Sequence, residues 1–346
     1  MVLKPLNVRV ELCDFNCDDD DDDTCRPLET ELKLLLKNKL GTKPFLPFSN
    51  KFIKVEHGRF GIHATDGQTM EYFQMSYSNE CILVIGSKPQ KDSATTIYVL
   101  DMYSKRLLQS IVLNFYCCIL QVESIPSKMG GDNLIMTNHE RIYSYNLRDF
   151  LTTQTNHKPK ILWKARVPRI LTPQFRGIRG MAIQYSTTDY GEKIQNVLYA
   201  SDFSRSKVYV FSCVDGRLLK EITHPVIHSP WGMDFNSRGE LLLSDFRANK
   251  IYMLKCTLDQ VQLLKSFGDN ELQIPRQVIV DRVTQNIIVY SQENRIICVY
   301  DRNGNYLTSS DARVQLSLLQ DIMLFNHFTG ELLIMDRLFL NTDVLV

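Results

Sequence analysis

The sequence predicts an all-β fold in which six four-stranded blades form a β-propeller, and three observations carry that prediction. From about residue 51 onward, short apolar or alternating runs are broken by turn residues, the pattern of strands joined by tight connections. One unit recurs, most clearly from Pro230, where PWGMDFNSRGELLLSD is followed by FRANKIYML. Equivalent third-strand residues, Ile97, Ile142, Val208, Ile251 and Ile296, are separated by 45, 66, 43 and 45 positions. A repeat of roughly 40–50 residues holding four strands is one propeller blade. The long gap holds one blade plus insertions, around residues 152–173 and 186–193, since two blades need about ninety residues.

Residues 1–50 read as a separate segment. They carry ten acids against seven bases, and six consecutive aspartates occupy residues 18–23. Such a run repels itself, so the segment is expected to be solvated and partly disordered. Residues 29–40 predict a short helix: acids open it, lysines close it and Gly41 follows, all favourable to the helix dipole and its stop. Residues 51–346 then form the propeller. Its third, fourth and fifth copies are strong, the first two divergent, and the last begins near Asp321. That last copy lacks a fourth strand, which would leave an open edge. Residues 52–60, extended and alternating, are expected to pair with the terminal strand and lock the ring.

The unit at Pro230 resembles the NHL repeat, whose pattern is Pro-Arg-Gly, a strand, a Gly turn, a strand ending in Asp, then Asn-Arg/Lys-Ile. The resemblance is good over residues 175–310, passable over 318–346 and weak over 60–150. Asp202, Asp245 and Asp336 match the family's Asp, whereas the fifth copy has Tyr290 and Ser291 there. The family's Arg survives as Arg179 and Arg276, but Trp231 replaces it in the best-matching copy. The resemblance implies a ring of blades whose Arg and Asp positions are mainly structural.

Composition narrows function by exclusion. A formal net charge of +1 gives no overall pull toward nucleic acid or anionic membrane. No apolar leader opens the chain and no stretch reaches the ~18 apolar residues of a membrane span, so a cytoplasmic monomer without membrane contact is expected. Nine scattered cysteines without a CxxC pair read as reduced, structural thiols. His224 and His228 have an i,i+4 spacing suited to zinc on a helix, but Pro225 and Pro230 place them in a loop. Cys13, Cys17 and Cys25 lack a fourth ligand. No cofactor, metal or catalytic residue is therefore assigned.

Residues 157–179 hold seven bases, no acid, and the aromatics Trp163 and Phe175. Bases beside aromatics can hold phosphates and stack nucleobases; they equally suit an acidic protein, the chain's own aspartates or plain solvent. The expected function is a noncatalytic scaffold for a protein or peptide. Its expected contact residues, all near blade connections, are Arg176, Arg179, Trp231, Arg247 and Arg276. RNA binding by a basic face, and a metal-dependent six-bladed hydrolase or lyase, remain as alternatives.

Overall fold

The computed structural model describes residues 54–59, 69–87, 94–124, 131–138, 141–152, 159–167, 177–187, 195–257, 260–311, 322–327, 330–335 and 341–345. The first strand, β1 (Lys54–Arg59), belongs to the closing sheet. The first blade contains β2 (Thr69–Ser76), β3 (Cys81–Ser87), β4 (Thr95–Asp101) and β5 (Leu107–Leu113). The second contains β6 (Ile119–Glu123), β7 (Asn133–Thr137), β8 (Arg141–Asn146) and β9 (Ile161–Arg166). The third is β10 (Ile178–Thr187), β11 (Gln195–Asp202), β12 (Lys207–Ser212) and β13 (Leu218–Ile222). The fourth is β14 (Pro230–Phe235), β15 (Leu241–Asp245), β16 (Lys250–Cys256) and β17 (Val261–Phe267). The fifth is β18 (Pro275–Val280), β19 (Ile287–Ser291), β20 (Ile296–Tyr300) and β21 (Tyr306–Asp311). Three strands remain, β22 (Ile322–Phe325), β23 (Leu332–Met335) and β24 (Asn341–Leu345).

The expectation of six four-stranded blades is thereby corrected. Five blades, not six, are built of four consecutive strands. The last three strands complete a sheet only by taking β1 from the other end of the sequence, in the order β1-β24-β23-β22. The register pairs His57 with Asp343 and Arg59 with Asn341, antiparallel. The physical reason is the outer edge of β24, whose backbone groups need a partner that no consecutive strand supplies. The pairing expected of residues 52–60 is the one found. The helix expected at residues 29–40 and the Asp336 position lie outside the described residues. The described helix is instead α1 (Leu147–Thr152), which leaves β8 directly; Asn146 caps it, its Oδ1 accepting from Asp149 N at 3.0 Å.

Packing explains the sequence pattern. The second strand of a blade lies between two neighbouring sheets and is buried on both faces, so it is a continuous apolar run rather than an alternating one. Buried throughout are β3, β15 and β19. Each apolar core fills the wedge between adjacent sheets. Tyr199 and Val210 of the third blade meet Phe235 and Leu243 of the fourth. Met70 and Phe73 of the first meet Leu324 and Leu333 of the closing sheet. The innermost strands β2, β6, β10, β14, β18 and β22 touch in that cyclic order, β22 returning to β2. Polar links reinforce the wedges. Glu123, buried at the end of β6, accepts from Asn133 and, across to the third blade, from Asn196 Nδ2 at 2.8 Å.

Candidate functional site

The site grows from one irregularity repeated in three adjacent inner strands. In β10, β14 and β18 the ladder slips register just after the first residue: between Ile178 and Gly180, between Pro230 and Met233, and between Pro275 and Val278. Such a bulge releases a residue from the pleat and re-aims its side chain. The residues released are Arg179, Trp231 and Arg276, equivalent positions of successive copies.

Close approach of the inner strands then brings the three together. A Cβ on Gly180 would lie 2.2 Å from Trp231 O, and one on Gly232 would lie 2.3 Å from Arg276 O. Glycine is therefore required at both positions to let neighbouring backbones touch. Two serines fix the approach. Ser201 Oγ donates to Trp231 O at 2.6 Å. Ser244 Oγ accepts from Gly232 N at 2.8 Å and donates to Arg276 O at 2.6 Å.

The aspartates that follow these serines build the adjoining turns. Asp202 Oδ1 accepts from Ser204 N and Arg205 N at 3.0 and 3.2 Å. Asp245 Oδ1 accepts from Ala248 N at 3.0 Å and Arg247 N at 3.2 Å, while its Oδ2 accepts from His228 N and Ser229 N. Both carboxylates are fully buried; burial pushes the Asp202 carboxyl above its ordinary value, partly offset by the Arg205 amide and guanidinium. In the fifth blade Ser291 stands at this position and accepts from Gln273 N at 2.7 Å, so one anchor of the incoming chain survives without the charge.

The turns contribute Phe203, Phe246 and Arg247. Trp231 and Phe246 stack with centroids 5.2 Å apart and planes 22° from parallel. Phe203 meets both edge-on, at 5.4 and 5.6 Å. The Arg276 guanidinium lies 4.4 Å from the Trp231 ring centre and 5.6 Å from that of Phe246. Arg179 lies 5.0 Å from Trp231, and Arg247 5.7 Å from Phe203. Each contact of this kind contributes about 0.5–1 kcal/mol where exposed and more where dry. The arrangement is a tryptophan in contact with two guanidiniums and packed on a phenylalanine pair, with a third guanidinium against Phe203.

Four of the five expected contact residues, Arg179, Trp231, Arg247 and Arg276, thus fall in one cluster. Arg176 lies outside the described residues. Phe203 and Phe246 were missed, although a signal existed, since Ser-Asp-Phe occurs at residues 201–203 and again at 244–246. Among the described residues no ion pair reaches Arg179 or Arg247. Arg179 Nε is buried without an acceptor among them. Arg276 Nε donates to Gln292 Oε1. Clustered like charges of this kind favour an incoming anion, and the ring faces favour an apolar or flat group beside it.

The other candidates take different places. His224 and His228 lie in the connection before β14 rather than on a helix, and His224 Nδ1 accepts from Val226 N at 3.3 Å. Among the described residues no three His, Cys, Asp or Glu side chains are placed to hold a metal ion. The six described cysteines are free, five of them buried. Trp163, in the basic run, is a packing residue: it is buried, and its Nε1 donates to Cys213 O at 2.6 Å.

No family model and no curated protein matches the chain. Solved β-propellers do match. The WD40 β-propeller domain of Doa1 superposes with a TM-score of 0.50 at 8% identity, covering 80% of this chain and 78% of that one. The β-propeller domain of Cps50 (Swd1) from Myceliophteria thermophila gives 0.52 at 10%, covering 87% and 99%. Virginiamycin B lyase from Staphylococcus aureus gives 0.52 at 10%, covering 86% and 99%. At these identities the likeness shows the fold: this chain is a β-propeller, with WD40 domains among its structural neighbours, and a lyase on the same scaffold carries no inference about chemistry.

Proposed function

We propose that this propeller is a noncatalytic interaction scaffold of the NHL kind that grips an acidic segment of a protein or peptide. The observation that supports it most directly is the pair of guanidiniums, Arg179 and Arg276, within 5.0 Å of the Trp231 ring centre, with Arg247 against the adjoining Phe203. Guanidiniums supply charge-assisted, directional hydrogen bonds to carboxylates. The Trp231 edge and the Phe203–Phe246 pair supply an apolar anchor of the type that dominates binding energy at small interfaces. No proton donor, nucleophile or metal is needed for that role. The WD40 neighbours fit a scaffold, and the blade motif at Pro230 fits the NHL pattern. A cytoplasmic setting, where reduced thiols persist, fits the free cysteines.

A fluorescence-anisotropy screen of labelled peptides graded in acidic and aromatic content tests this reading. Acidic peptides should bind the full chain, and Arg179→Glu or Trp231→Ala should weaken them at least tenfold. Binding that ignores both substitutions would remove the assignment. The same cluster could hold phosphates and stacked bases, so a single-stranded RNA oligonucleotide belongs in the screen. RNA binding that falls steeply with salt and vanishes in Trp231→Ala would replace the peptide reading.

A further inference from the structure

Two guanidiniums of the cluster, Arg179 and Arg247, lack a carboxylate counter-charge among the described residues. Arg179 Nε is in addition buried without an acceptor among them. The carboxylates of the adjoining turns are already committed to backbone. Asp202 accepts from the Ser204 and Arg205 amides, and Asp245 from those of His228, Ser229, Arg247 and Ala248. A buried N–H without an acceptor is costly, and like charges held close together add to that cost. The cluster therefore calls for several anionic oxygens spread across its face. The sequence holds one segment of that chemistry. Residues 18–23 are six consecutive aspartates, and nowhere else in the chain are two acids adjacent.

We infer that residues 18–23 dock on the Arg179–Trp231–Arg276 cluster of their own chain and compete there with acidic segments of other proteins. The inference rests on the reading of this cluster as an acid-binding site and gives that site a built-in regulator. Charge selects the occupant, since guanidiniums bind carboxylates through charge-assisted hydrogen bonds and this run is the densest source of them in the chain. Reach permits it. Residues 24–53 join the run to Lys54, where β1 begins on the closing sheet. Thirty residues span up to about 100 Å, whereas a folded chain of this length is roughly 50 Å across. The cluster on the third, fourth and fifth blades is therefore within range. Tethering sets the strength. Site and ligand joined in one chain meet at an effective concentration of about 1 mM. A run with an intrinsic Kd of about 100 μM would then fill the site about nine-tenths of the time and weaken a competitor about tenfold. A competitor offering charge alone is held off, while one that also packs on Trp231 and the Phe203–Phe246 pair displaces the run. Docking in this way makes acid binding selective.

The experiment titrates fluorescein-labelled hexa-aspartate, read by anisotropy, into the full chain and into a full-chain variant in which residues 18–23 are all changed to asparagine. Neutralising the run should tighten peptide binding about tenfold, and Arg179→Glu should abolish binding to both chains. A second readout needs no added ligand. In a Trp163→Phe background Trp231 is the sole tryptophan, and its emission should differ between the two chains. At about 1 M salt the unaltered chain should take on the spectrum of the neutralised one, and Arg179→Glu should erase the difference. Equal peptide affinity for the two chains would overturn the inference and leave the acid-binding reading standing. Peptide binding to neither chain would remove that reading, and the inference would then stand only on an emission difference that Arg179→Glu erases. Identical emission from the two chains would overturn it in either case. Circular dichroism, expected to agree between the chains because the substitutions lie outside the ring of strands, separates lost docking from lost folding.

Discussion

Gly232→Ala tests the closest approach in the ring. The new Cβ would sit 2.3 Å from Arg276 O, 2.8 Å from Gln277 Cα and 3.0 Å from Val278 N. All three atoms are backbone, so no side chain can swing aside. Ordinary contact begins at 3.4 Å, and 3.4 − 2.3 gives a displacement of 1.1 Å that β18 must accept. Gly232 is not among the glycines with positive φ, so alanine is conformationally acceptable there and by itself would stabilise by about 0.4–1 kcal/mol. Against this stand about 1–3 kcal/mol of overpacking and about 1 kcal/mol from the stretched Ser244 to Arg276 hydrogen bond. The net expectation is a loss of about 2 kcal/mol, read as a lower urea midpoint. In a Trp163→Phe background Trp231 is the sole tryptophan, and its emission should change as Arg276 withdraws. Gly239→Ala is the control, with φ +71° and its nearest neighbour, Gln184 Nε2, at 3.4 Å; it should lose about 1 kcal/mol from backbone strain alone and leave the Trp231 emission unchanged. A Gly232→Ala protein as stable as wild type, or more so, would refute the close-approach argument.

Other substitutions probe the same architecture. Ser201→Ala should cost about 1–2 kcal/mol, since Trp231 O loses its donor inside the ring; a urea midpoint unchanged within error would contradict it. Asp245→Ala orphans four backbone amides, and a loss of about 3 kcal/mol is expected, with limited proteolysis entering first at the connection before β14. Acid stability should depend on Asp281. Burial pushes its carboxyl up, but His327, the Thr284 hydroxyl and the Val283 amide outweigh that and hold it below the usual carboxylate value. A depressed folded value means the stabilisation is present above the unfolded-state carboxylate range near 4 and is lost as pH falls through the folded value. Asp281→Asn should therefore flatten the acid limb of the stability profile, and an acid limb identical to wild type would exclude this carboxylate as its source.

The fold was legible in the sequence where the repeat is regular. In the fourth copy the unit beginning at Pro230 becomes β14, β15 and β16, and the apolar stretches that open β15 and β19 are what double-sided burial demands. Blade count was less legible, because periodicity reports copies of a motif, and only five copies are continuous sheets. The shared last sheet was legible, since the final copy lacked a fourth strand and residues 52–60 read as extended. The cluster was half legible. Arg179, Trp231 and Arg276 could be aligned as one repeat position, but their convergence depends on the bulges and on inner strands touching at Gly180 and Gly232, which are three-dimensional facts. Phe203 and Phe246 escaped notice because an aromatic after a turn aspartate looks like ordinary packing until two neighbouring turns face each other.

Closure by β1 and β24 also sets a timetable. Met70, Phe73, Val84 and Leu100 pack against Leu324 and Leu333, partners made more than two hundred residues later. At ribosomal rates of about 5–20 residues per second, that flank of the first blade waits roughly 10–50 s for its cover. During the same interval β1 has no β24 to pair with. The nascent ring is therefore an open arc with one greasy end, most vulnerable to misassembly in the seconds before its last strands emerge, and a chaperone holding the first blade would act in that window.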